Sequence, residues 1–186
     1  MYRALLLLPA ALLLGAASSP ESDAVRAASA SLLGPPWISI EHPVSPYDRS
    51  ARGALLLVDA YHHATPVGLP VRGTAEGLVA GERRSVKLEF QTTSRTGVYA
   101  LRKQWASEGV WTLVISLTQG AGEANTVSAV VELAPSGAVA SVEVPMRGPR
   151  LGEDLDWRYP ARVDMRAIDT GLRSRAAARA VVNSGR

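Results

Sequence analysis

The chain has 186 residues, 47% hydrophobic and 20% charged, with a formal charge of +3 and no cysteine. Length and apolar content fit one globular domain with a sizeable core plus appendages. The missing thiols exclude disulfides, thiolate metal sites, a cysteine nucleophile and a lipidated cysteine, and no basic stripe interleaved with aromatics offers nucleic acid a groove.

The first element is a predicted export signal. "MYRALLLLPAALLLGAASSPESD" places Arg3 ahead of an uncharged run from Ala4 to Ala17, followed by small residues. That is the layout of a secretory signal peptide over residues 1–18, with Ala16 and Ser18 at the positions three and one before a cut after Ser18. "RAASAS" supplies a second cleavage site as late as residue 30. The apolar run is short for a bilayer, which takes about 20 residues, and no later segment is long and apolar enough to cross one. The expected location is secreted or periplasmic. Residues 19–35, rich in Ser, Ala, Gly and Pro, read as a linker.

From residue 36 to residue 146 the texture is short segments alternating at period two, split by Gly, Pro and Ser. In chain order the expected strands are "WISIEH", "ALLLVDAYHH", "VRGTAEGLV", "SVKLEF", "GVYALRKQW", "VWTLVISLT", "VSAVVEL" and "VASVEV". Val86, Leu88 and Phe90 share one face of "SVKLEF", opposite Lys87 and Glu89; Trp111, Leu113, Ile115 and Leu117 share one face of "VWTLVISLT". "APSG" (Ala134 to Gly137) suits a tight hairpin between the last two strands. About seven to nine such strands predict an all-β fold, an antiparallel immunoglobulin-like β-sandwich, extended at its C-terminus by a helix.

The stretch "DAYHHATPVGLPVRGTAEG" holds two of the three histidines. Extended backbone sends successive side chains to opposite faces. With Leu56, Val58 and Ala60 on the core face, His62 follows them inward and His63 joins a solvent-facing Asp59, so the two imidazoles point apart. They converge only if the strand ends before His62. His42, His62 and His63 are the weak candidates for a copper or other metal site, since imidazole suits copper; the alternative is ordinary strand-end histidines. Pro66, Gly68 and Pro70 punctuate the connection, and Gly73 and Gly77 mark a bulge or a close backbone approach in the next strand.

In "GVYALRKQWASEGVWTLVISL", Tyr99 and Trp105 share one parity and Trp111 another after the turn at "SEG". Across a hairpin these rings would meet inside the sandwich as structural core aromatics. Exposed, the two indoles would instead stack on sugar rings, as in a carbohydrate-binding module. The features "PVGLPVRGTAEG" and "GVYAL…W…GVWTLVISL", spanning Asp59 to Leu117, resemble exported immunoglobulin-like sandwiches of the YtkA-like and FixH-like kind, and more loosely carboxypeptidase-regulatory or transthyretin-like domains. The resemblance implies a non-enzymatic module, in some members associated with copper or respiratory-complex assembly. The methionine-rich stretches of copper carriers are missing; beyond the initiator there are only Met146 and Met165.

Residues 147–186 form a basic tail with a predicted helix over about 164–182, whose narrow stripe is Met165, Ile168, Leu172 and Ala176. This helix is expected to lie on the sandwich or fray, with a partner- or membrane-surface contact as the alternative. No G-x-S-x-G or H-E-x-x-H occurs, and Glu76, Glu89, Glu132 and Glu143 read as solvent-facing or loosely patterned strand positions, so no catalytic residue is assigned. The sequence reading is therefore a non-catalytic exported module without a cofactor, binding another envelope or secreted protein. Its ligand-binding residues are not legible in the sequence.

Overall fold

A computed structural model describes residues 34–120, 125–152 and 158–184; the predicted signal and all but the end of the predicted linker lie outside them. Eight main strands overlap the eight expected ones: β1 (Trp37–Glu41), β2 (Leu56–His62), β4 (Val71–Val79), β5 (Glu82–Lys87), β7 (Val98–Leu101), β8 (Val110–Thr118), β9 (Thr126–Leu133) and β10 (Val139–Glu143). Two-residue bridges add β3 (Thr65–Pro66), β6 (Gln91–Thr92), β11 (Met146–Arg147) and β12 (Tyr159–Pro160), and helix α1 (Met165–Ser184) follows them.

One sheet runs β1-β2-β7-β6, with β3 paired to β2; the other runs β10-β9-β8-β4-β5. All pairings in these two sheets are antiparallel. With β1, β2, β6 and β7 as strands A, B, D and E, and β4, β5, β8 and β9 as C, C′, F and G, this is the immunoglobulin order. Strand β10 is an addition beyond G.

Local chemistry sets the turns. Val79 pairs with Glu82, leaving a two-residue loop in which Ala80 (φ 49°) and Gly81 (φ 82°) are both left-handed, the conformation that matches sheet twist. The predicted hairpin at "APSG" closes through Gly137 (φ 85°), whose N–H donates to the Ala134 carbonyl at 2.8 Å.

The core lies between the sheets and follows the expected alternation. Leu56, Val58 and Ala60 from β2 meet Leu113, Ile115 and Leu117 from β8, with Val127 and Val131 from β9. Of the bulge or close backbone approach expected in β4, Gly73 shows the approach, a Cβ there sitting 2.7 Å from the Val114 carbonyl oxygen; at Gly77 the crowding comes instead from a side chain, the Trp111 indole, which a Cβ would overlap.

Two expectations are corrected. Asp59 was expected in solvent but is 6% exposed, and Leu57 on the same face is wholly buried. The connection between β1 and β2 folds over this outer face, packing Val44, Ala51 and Ala54 against Leu57, Val98 and Ala100. Alternation names the two faces of a strand and cannot say that a loop will cover the second. Likewise β7 and β8 do not form a hairpin: they belong to opposite sheets, and residues 102–109 cross between them.

Helix α1 starts where predicted. The Asp164 carboxylate accepts from the Arg166 N–H at 2.9 Å, a capping contact that satisfies one of the helix's open donors. Ile168 and Leu172 then bury against Val110, Leu78, Val114 and Val130 on the outer face of the β8 sheet. Met165, expected in the same stripe, is 43% exposed, because the docked face begins one turn later.

Candidate interaction surface

Tyr61 pairs with Pro66 and His62 with Thr65, so His63 and Ala64 form the whole of a two-residue turn, with φ of 48° and 63°. His63 has therefore left the strand, and its ring meets that of His62 edge-on at 4.3 Å between centroids. The expectation that the imidazoles point apart is overturned, because the strand ends at His62 and the alternation stops with it. His42 does not join them. It follows Glu41, whose register partner Leu57 is already about 16 Å of strand from His62, so His42 lies further away still. Among the described residues no three His, Asp or Glu side chains gather as a metal site.

The aromatics sit inside. Trp105 and Trp111 are buried in the main core, and the Trp111 Nε1–H donates to the Glu108 carbonyl at 2.8 Å. Tyr99 packs against the same core while its hydroxyl donates to the Leu69 carbonyl at 2.7 Å; burial pushes its pKa above the ordinary phenol value. Neither indole offers a face to a sugar. Beyond Tyr99 lies an open cleft of about 730 Å³ whose lining charges include Arg72, Lys87 and Glu89. Lys87 and Glu89 pair at 3.5 Å, so the cleft carries charges of both signs.

The carboxylates expected in solvent divide. Glu76 is buried and pairs with Arg83 at 2.8 Å, and Arg83 reaches on to Asp169 of α1 at 2.7 Å. Glu132 pairs with Arg175 of the helix, which also donates to the Thr112 hydroxyl at 2.5 Å. Arg179 donates to the Gly109 carbonyl at 2.6 Å. These groups hold the helix in place. On the opposite sheet, Asp59 lies near Arg95 and Glu41; burial pushes its carboxyl up, Arg95 opposes this, and Glu41 adds to it. Asp48 is held low, first by the Ser50 hydroxyl at 2.6 Å.

A large apolar surface lies at the β1 edge. Val142 pairs with the wholly buried Val131, which places it on the core-facing side of β10, yet it is 36% exposed. Strand β1 packs over β9, and the β1 sheet ends there. No described strand stands over β10. Beside this overhang is a groove of about 460 Å³ whose walls include Pro36, Trp37, Val127, Val144, Met146 and Pro160. Trp37 is 50% and Met146 44% exposed there. Sequence reading missed the groove. Val142 and Val144 look like ordinary inward strand residues; only the unequal widths of the sheets leave Val142 exposed, while Val144 still packs partly against the core.

No protein-family model matches the chain, and no curated protein or solved structure matches it significantly.

Proposed function

We propose that the chain is a non-catalytic exported module that binds another envelope or secreted protein through the β1 edge of its sandwich. The observation that carries this reading is the apolar groove at that edge, where Trp37 is 50% and Met146 44% exposed, together with the core-facing Val142, left 36% exposed two residues before the groove's Val144. A contiguous apolar surface of this kind on a folded domain marks an interaction site more often than chance exposure does. Arg83, Asp169, Glu132 and Arg175 are engaged in holding the helix to the sandwich, which leaves the apolar edge as the surface that best fits a partner.

The test is site-specific photo-cross-linking in the native envelope. A benzoyl-phenylalanine at Met146 should give a discrete protein adduct, and the same probe at Lys103, on the far connection, should not. Adducts at neither position would sink the module reading. Export is tested by sequencing the N-terminus of the mature protein: a new terminus between residues 19 and 31 supports it, and a retained Met1 would refute it.

A further inference from the structure

We infer that the connection between β1 and β2 is a proton-controlled cover: it seats on the outer face of its sheet when the Asp59 carboxyl is protonated, and it lifts, baring Leu57, Val98 and Ala100, when that carboxyl is ionised. The inference goes beyond partner binding at the β1 edge and does not depend on it.

The connection, residues 42–55, lies over a face that is apolar but for one group. Leu57 of β2 pairs in register with Ala100 of β7, and Asp59 with Val98. Asp59 is 6% exposed there, the one ionisable side chain in this square of four. Among the described residues no hydrogen bond reaches its carboxyl, and the cation that acts on it, Arg95, directs its guanidinium to Glu41 at 3.0 Å and Asp48 at 3.7 Å. Three carboxylates thus face one guanidinium: Glu41 at the end of β1, Asp48 on the connection and Asp59 on β2. Ser39, which pairs with Asp59 from β1, is uncharged, and Tyr61 follows on β2. The connection's other titratable residues, His42, Tyr47, Arg49 and Arg52, are exposed. A buried carboxylate without donors is the costly state of an acid, and burial accordingly pushes its titration up against the pull of Arg95.

The cover's own grip is slight. Its apolar contacts are Val44, Ala51 and Ala54. Its polar ties are exposed: Ser94 Oγ donates to Ser50 Oγ at 3.2 Å, and Arg102 donates to the Arg52 carbonyl at 2.8 Å. A segment with so few buried contacts opens without the rest of the fold, and one buried charge is enough to tip it. Asp59 titrates higher in the seated state than in the open one. The help its proton gives to seating is complete below the open-state value and is lost as pH rises through the seated one.

The chain has no cysteine, so Ala100→Cys puts a single thiol beneath the cover and Ala75→Cys puts one in the main core. Each is labelled with an aromatic disulfide from about pH 4 to about pH 8, with Asp59 intact and with Asp59→Asn, so that titrations common to both backgrounds cancel. At the acid end the Ala100→Cys thiol should react equally fast in the two backgrounds. At neutral pH it should react about threefold or more faster with Asp59 intact, the ratio reaching about tenfold for each pH unit between the open and seated titrations. It should also react well before the Ala75→Cys thiol. A ratio that stays at one across the range would overturn the proposal, and so would equal rates for the two thiols, which make the cover part of one global unfolding. If Ala100→Cys does not fold, hydrogen exchange of the natural chain reads the same event. The Ala51 and Ala54 amides, bonded to the Asp48 and Ala51 carbonyls, should lose protection with rising pH, relative to Asp59→Asn, ahead of the β8 and β9 amides. Protection that follows β8 and β9 at every pH would equally overturn it.

Discussion

Ala64 and Ala80 sit at φ of 63° and 49°, a region where a Cβ crowds the following carbonyl. Each closes a two-residue hairpin, and glycine occupies the same region without that clash. Ala64→Gly should therefore stabilise the fold by about 1 kcal/mol, read as a shift in urea midpoint with unchanged slope. Gly77 is the opposite case: the Trp111 indole lies across it, and Gly77→Ala should destabilise by about 1–3 kcal/mol in the same assay. Asp59 carries the pH dependence. Its folded carboxyl titrates above its unfolded one, so the protonated form favours the fold. That contribution is complete below the unfolded value and is lost as pH rises through the folded one. Asp59→Asn should thus gain stability at neutral pH, by about 1 kcal/mol, and flatten the fall between acid and neutral conditions. A steeper fall in the variant would show that Arg95 outweighs burial.

At the scale of elements, α1 is secured by few apolar groups. Ile168 and Leu172 are its buried anchors, flanked by the Arg83–Asp169 and Arg175–Glu132 pairs. Leu172→Ala should cost about 2–4 kcal/mol and let trypsin cut at Arg173, Arg175 and Arg179 before the sandwich unfolds. If those sites stay protected until global unfolding, helix and sandwich are one cooperative unit. The strands were legible because each main one alternates over a run bounded by turn residues. The errors lay where an element stopped or was covered. Alternation ends at His62, because a two-residue turn begins at His63. It also put Asp59 and Glu76 toward solvent, while the loop leading into β2 lies over the first and the helix at the far end of the chain reaches the second.

For the molecule as a whole, the separation of His42 from the His62–His63 corner bears on metal handling. Copper or zinc titrated calorimetrically should show no binding that depends on all three histidines: His42→Ala should leave any isotherm unchanged, and a loss of affinity in that variant would require the three rings to meet. Of the candidate surface, the sequence contained every residue and no sign of the site. What the sequence alone determined is the sandwich itself, its eight main strands and the helix start, because period-two burial and a capping aspartate act over a few neighbouring residues. Only the tertiary structure decided that one sheet would outreach the other and leave Val142 uncovered. That depends on which strands, far apart in the chain, come to lie opposite one another, and no local pattern records it.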